Sequence, residues 1–228
     1  MENKLRRRLP LLFLLAVDVA MICMELHVLP GIWRRSGTDM LRFYTNDSNI
    51  LALIVCCLSA LLSLWTLLTG KTDRPAWIQL LRHMASSCLI VTFIVAACIL
   101  TPMNSRGTWL SFRREFTSFM LDGGNLFVHT LCPLVLCFSC ILSGEARPRS
   151  LPDLLWSLLP TAIYGAAILY NVALRRIAPP YPFFRIHAQP VYMTVLWCAL
   201  ILLGTCLISL GITLTKNACA RMLKKRNL

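Results

Sequence analysis

Residues 42–69 read RFYTNDSNILALIVCCLSALLSLWTLLT, and how this stretch divides decides the fold. Five polar residues, Thr45 to Asn49, open an apolar run long enough to cross a hydrocarbon core, which takes about 20 helical residues. At helical spacing Thr45, Ser48, Asn49, Ala52, Cys56, Ser59, Ala60 and Ser63 fall on one face, all small or polar. Ile50, Leu51, Ile54, Leu58, Leu61, Leu62 and Trp65 make up the opposite face. Within a bilayer, small and polar residues pack helix on helix while bulky apolar ones meet lipid. The stretch therefore predicts a membrane-spanning helix whose first turn directs Thr45, Ser48 and Asn49 into a bundle. Asn46 and Asp47 point elsewhere, toward the rim or a neighbouring helix.

Working outward, the whole chain of 228 residues has the same character: 57% are hydrophobic and 14% charged, where a soluble domain carries roughly a quarter charged. Six apolar segments suffice for spanning, at about 9–32, 44–69, 78–101, 125–143, 152–174 and 190–214. They use most of the chain, so residues 1–228 are expected to form a single all-α domain, a polytopic six-transmembrane-helix bundle. The first segment follows a basic stretch, Lys4 to Arg8, but is too long for a signal peptide and lacks an Ala-x-Ala-like cleavage site.

The net charge is +13. In a membrane protein the placement of the charge matters more than its sum, because Lys and Arg accumulate on the cytoplasmic side. The two terminal tails, with Lys4, Arg6, Arg7 and Arg8 at one end and Lys216, Arg221, Lys224, Lys225 and Arg226 at the other, place both termini there. The short connections 70–82 and 144–151 join them on that side, and no nucleic acid is expected as a partner. All 11 cysteines except Cys219 lie in apolar segments, which argues against a disulfide framework. Cys56–Cys57 and Cys137/Cys140 are expected to be soft packing residues. No metal site and no cofactor is expected, and neither a Gly-rich phosphate loop nor a G-x-S-x-G elbow occurs.

Two connections are long. In residues 102–124, Trp109, Phe112, Phe116 and Phe119/Met120 recur at helical spacing around Arg113, Arg114 and Glu115, which predicts an interfacial helix over 108–121. It serves as an anchor in preference to a lid. Residues 175–190, RRIAPPYPFFRIHAQP, hold four prolines and cannot be helical throughout. Tyr181, Phe183 and Phe184 are expected at the aromatic belt of the membrane interface.

Ionisable and polar groups at membrane depth are costly and face the bundle interior or water. Asp18 and Glu25 share a face of the first span, His129 lies well inside the fourth, and Ser157, Thr161, Tyr164 and Asn171 form a stripe on the fifth. Asn125 neighbours His129 four residues on. With six spans, the second and fourth run the same way, and Thr45 and His129 come to nearly the same depth. A hydroxyl and an imidazole meeting in one cavity suit acyl transfer: the imidazole takes the hydroxyl proton, and an acyl-threonine forms. Ser48, Asn49, Asn125 and Tyr164 are candidates for the oxyanion or substrate, and Asp18, Glu25 or Asp47 for orienting the imidazole. Helix capping by Thr45 or Ser48, and helix-to-helix bonding by His129, are the structural alternatives.

FYTNDSNILALI, followed by NLFVHTLCPLVL and then by LPDLLWSLLPTAIYGAAILYNV and PPYPFF, resembles the androgen-induced-gene and androgen-dependent TFPI-regulating protein family with its bacterial six-span relatives. The likeness covers nearly the whole chain and rests on the order of the three motifs. It implies an intramembrane threonine hydrolase that cleaves fatty acid esters of hydroxy fatty acids or similar acyl esters, with Thr45 matching the family's nucleophile and His129 its base. The chain departs from the bacterial pattern at Asn46–Asp47, where an apolar residue more often follows the Thr. The expected partners are membrane lipids and a lipid or fatty-acyl ester arriving from the bilayer, with the bacterial cytoplasmic membrane as location and the oligomeric state open. A proton-linked carrier using Asp18, Glu25 and His129 as a relay, or a non-enzymatic scaffold, are the alternatives.

Overall fold

The computed structural model describes residues 2–70, 75–105, 107–142 and 151–226. The connections at 71–74 and 143–150, which carry part of the charge asymmetry, lie outside the described residues. All regular structure among the described residues is helical. In chain order the helices are α1 (Glu2–Ser36), α2 (Tyr44–Thr69), α3 (Ala76–Asn104), α4 (Trp109–Met120), α5 (Gly123–Leu142), α6 (Leu151–Ala173) and α7 (Val191–Arg226). Six helices are long and apolar enough to cross a membrane: all of these but α4. The chain is an integral membrane bundle, as its periodicity predicts.

The bundle is built around α3, which packs against α2, α5, α6 and α7. In its most apolar window 61% of residues are buried, against 17% in α7, so α3 is the axial helix and α7 faces lipid over most of its girth. Its run Arg82–Leu89 is buried throughout, and Ala85, Ser86, Ser87 and Cys88 are small enough to let four neighbours approach. Around α2 the predicted division holds. Ser48, Asn49, Ala52, Cys56, Ser59 and Ser63 are buried, whereas Ile54, Leu58, Leu61 and Trp65 are exposed. Gly70, in the left-handed region at φ +71, ends α2 and returns its N–H to the Thr66 carbonyl at 3.0 Å, a backbone turn that glycine makes without strain.

Two segments leave the α-helical register: Val95–Leu100 within α3 and Leu126–Leu131 within α5 are π-helical. Such wide turns are uncommon and recur at functional sites. The first is supported by Thr101, whose hydroxyl donates to the Ala96 carbonyl at 2.8 Å. The second carries His129. α4 forms where the interfacial helix is predicted, with the Thr108 hydroxyl accepting from the Ser111 N–H at 3.2 Å as its cap. Its Trp109 and Leu110 are 76% exposed, whereas Phe112, Phe116 and Phe119 are half-buried and Met120 is buried.

Two expectations need correction. Tyr181, Phe183 and Phe184 do not form an interfacial belt; they are buried at 8%, 4% and 4% exposure and pack with Tyr44, Cys88, Val91, Ile168 and Val172. A loop with four prolines has no periodicity to show which way its aromatics face, and here burial wins. Arg82 belongs to no connection: it lies inside α3, buried, and pairs with Asp18. His83 beside it is also fully buried, 2.7 Å from the Ser209 hydroxyl. The cysteines behave as expected: all are free thiols, including Cys137 and Cys140, whose spacing is that of a Cys-x-x-Cys pair.

Candidate active site

Thr45 occupies the first turn of α2 because the chain changes course just before it. A 3-10 segment, Gly37–Arg42, ends at Phe43, which is extended (φ −106, ψ 120), and α2 begins at Tyr44. Asn46 ties this corner by donating from Nδ2 to the Met40 carbonyl at 2.8 Å. Tyr164 ties it from α6, its phenol donating to the Arg42 carbonyl at 2.7 Å. Thr45 Oγ1 then stands 3.1 Å from His129 Nε2, so the two residues paired by depth are in hydrogen-bonding contact.

His129 is 8% exposed. Its Nδ1 lies 2.7 Å from the Phe119 carbonyl of α4. A carbonyl only accepts, so Nδ1 carries the proton and Nε2 presents its lone pair to the Thr45 hydroxyl. The orienting group is thus a backbone carbonyl, and the three carboxylates considered for that role are elsewhere. Asp18 accepts from Arg82 and, at 2.6 Å, from Ser59. Glu25 is fully buried with the Cys132 thiol as its polar neighbour. Asp47 is partly buried and faces the side of Tyr164 and Tyr181. Phe119 could not be found from side-chain chemistry, since its contribution is main chain.

Asn49 joins the two elements that carry Thr45 and His129. Its Nδ2 donates to the Thr45 carbonyl at 2.6 Å and to the Val128 carbonyl at 3.2 Å, so a single amide ties α2 to the π-helical turn that carries His129. Ser48 donates to the Thr45 carbonyl at 3.0 Å and lies 2.9 Å from the Thr92 hydroxyl. Asn125 donates to the Ser118 carbonyl at 2.9 Å, and Thr130 to the Met120 carbonyl at 2.6 Å. Together with the His129 contact these bonds dock the end of α4 onto α5. The polar groups placed by sequence beside the dyad are therefore present, but as fasteners of the backbone.

Beside Thr45 opens a cavity of about 230 Å³ whose walls come from α2, α3, α6, α7 and the 175–190 loop. Val91, Val95, Leu100, Leu169, Ile201 and Leu202 make it apolar. Ala162 and Ala166, which also line it, are exposed, so the cavity is open to its surroundings where the side chains are smallest. Sequence reasoning missed Tyr181. Its phenol interacts with the Thr45 side chain, and the backbone N–H groups of Tyr44 and Thr45 approach its oxygen. Burial raises its pKa above the ordinary tyrosine value, and the contact with Thr45 offsets this only in part, so the phenol keeps its proton.

The chain matches no protein-family model, no curated protein and no solved structure.

Proposed function

We propose that this chain is an intramembrane hydrolase that cleaves lipid esters with Thr45 as nucleophile and His129 as base. The observation that carries this is the chain of contacts from the Thr45 hydroxyl to His129 Nε2 (3.1 Å) and from Nδ1 to the Phe119 carbonyl (2.7 Å), set at the wall of an apolar cavity. As Thr45 Oγ1 bonds to the ester carbon, its proton passes to Nε2 and the carbonyl electron pair moves onto oxygen. The tetrahedral adduct collapses by expelling the alcohol, which leaves with the proton from Nε2. Water then attacks the acyl-threonine, again giving a proton to Nε2, and the acid is released with Thr45 restored. These steps need no metal or cofactor.

Acyl chains suit a cavity with walls of Val, Leu and Ile, and its opening beside Ala162 and Ala166 suits substrate arriving sideways from lipid. The family resemblance adds fatty acid esters of hydroxy fatty acids as the first substrates to try. It also adds the bacterial cytoplasmic membrane as location, and the Lys and Arg of the two tails put both termini on the cytoplasmic side.

Glu25 favours a second use of the bundle, as a proton-linked carrier, because neither carboxylate oxygen has a nitrogen or oxygen partner. The relay of Asp18, Glu25 and His129 that such a carrier would employ is interrupted, since Asp18 is held by Arg82. The deciding experiment is covalent labelling by a fluorophosphonate probe. The hydrolase predicts labelling of the unaltered protein and its loss in Thr45→Ala and His129→Ala, with thermal stability retained. Equal labelling of Thr45→Ala rejects the nucleophile. Absence of labelling together with substrate-dependent flux in proteoliposomes supports the carrier.

A further inference from the structure

A tetrahedral adduct on Thr45 needs a hydrogen-bond donor for its oxyanion, and the donors expected from sequence are committed elsewhere. Asn49, Asn125 and Tyr164 each donate to backbone carbonyls, Ser48 donates to the Thr45 carbonyl, and Tyr44 is paired with Thr161 at 2.7 Å. Among the phenols and amides around Thr45, this leaves Tyr181, which lines the same cavity. Resting on the hydrolase assignment above, we propose that the Tyr181 phenol is the oxyanion donor of this site.

Three observations carry it. The phenol lines the same cavity as Thr45 and lies close to its side chain, and the oxyanion of the adduct is bonded to the carbon that Thr45 Oγ1 attacks, so donor and developing charge share one end of the cavity. The N–H groups of Tyr44 and Thr45 approach the phenol oxygen. The phenol thus stands at the start of a 26-residue helix, where the helix dipole favours negative charge. Finally, the ring is held from several sides: stacked on Phe183 with centroids 5.1 Å apart, 6.1 Å from Phe43 and 6.3 Å from Phe184. A donor fixed in a water-poor cavity stabilises developing charge without reorganising, which makes it effective.

In the step itself, Thr45 Oγ1 forms its bond to the acyl carbon while its proton goes to His129 Nε2. The carbonyl π pair becomes the oxyanion, which accepts from Tyr181. Tyr181 keeps its proton throughout, and on collapse the pair returns to the carbonyl.

The test uses the full chain in detergent with a p-nitrophenyl ester of a medium-chain fatty acid. Tyr181→Phe removes one oxygen and leaves the aromatic stack in place. It is expected to lower kcat by about 10²–10³-fold, as for loss of an oxyanion donor, with KM and thermal stability close to those of the unaltered protein. Fluorophosphonate labelling is expected to slow comparably, because the phosphonyl oxygen gains charge at the same place. Replacing Tyr181 by 3,5-difluorotyrosine, a more acidic phenol, is expected to retain turnover and move the alkaline loss of activity to lower pH. Wild-type kcat in Tyr181→Phe, with Thr45→Ala unlabelled, overturns Tyr181 alone. Labelling of Thr45→Ala overturns the hydrolase and Tyr181 with it. Should Tyr181→Phe not fold, an unmoved alkaline limb in the difluorotyrosine protein overturns the donor.

Discussion

The Nδ1–H of His129 donates to the carbonyl of Phe119 at 2.7 Å, and this bond hands the orientation of the imidazole to the interfacial helix α4. Where a carboxylate would add charge, a carbonyl only fixes the tautomer and the ring plane, so the position of α4 sets the geometry of the proposed base. Thr130, next in sequence to His129, donates to the Met120 carbonyl at 2.6 Å and helps hold α4 in place. Thr130→Val keeps the shape and deletes the bond. It is expected to cost about 1 kcal/mol of stability and to lower kcat more than it changes KM. Ester turnover and thermal melting in detergent check both.

Asn49 holds α2 to the π-helical turn through the Thr45 and Val128 carbonyls. Asn49→Ala removes the bond to the Val128 carbonyl and leaves the Thr45 carbonyl to Ser48, at a cost of about 1 kcal/mol. It is expected to slow fluorophosphonate labelling of Thr45 while leaving the protein folded. An unchanged labelling rate shows that α2 and α5 keep their register without it.

Arg82, Asp18, Ser59 and Ser139 form a second buried cluster, further along the helices that carry the dyad: Arg82 bonds Asp18, reaches Ser59 at 3.2 Å and Ser139 at 2.8 Å. Its members bond one another across four helices, which marks it as a joint between α1, α2, α3 and α5. Removing one partner of such a pair leaves an uncompensated charge, costing about 3–5 kcal/mol. Arg82→Met is therefore expected to be strongly destabilising, and Asp18→Asn added to it is expected to recover much of the loss. A double-mutant cycle of melting temperatures measures the coupling.

Gly165 lines the cavity, and a Cβ built there meets nothing within 4 Å. Gly165→Leu places its Cβ in open space and improves helix propensity by up to about 1 kcal/mol, while adding bulk to a residue that lines the cavity. It is expected to leave turnover of acetyl esters near that of the unaltered protein and to reduce turnover of long-chain esters by at least tenfold. A chain-length series of p-nitrophenyl esters reads this directly, and equal loss across the series places the acyl chain elsewhere.

Burial raises the pKa of Tyr181 above its value in the unfolded chain, which is about 10. A group whose pKa is raised on folding contributes stability that is fully present below the unfolded pKa and is lost as pH climbs through the folded one. Above pH about 10, the unaltered protein is thus expected to lose stability more steeply than Tyr181→Phe. Melting temperatures of the two proteins across the alkaline range test the difference.

Local periodicity made the six spans legible, together with the inward face of α2 and the interfacial helix α4. It also put Thr45 and His129 at one depth, because rise per residue and segment order are properties of the chain alone. What the chain could not show are relations between segments without a shared register. The imidazole's partner is a main-chain carbonyl, which no side-chain pattern marks. Arg82 sits at the edge of an apolar run, where only the packing of α3 on α1 reveals that it meets Asp18. The polar residues beside the dyad were visible as residues, but their donors are directed at carbonyls by the corner at Phe43 and the π-helical turn at 126–131. Tyr181 lies in a proline-broken loop whose aromatics could face lipid or core, and the apolar surface gained by burying three rings together, with a polar contact for the phenol at Thr45, turns them inward. Sequence thus determined the membrane bundle and the depth of its polar pair; the tertiary structure decided which group orients the His129 imidazole and which phenol shares the cavity with Thr45, because those contacts depend on how the helices dock.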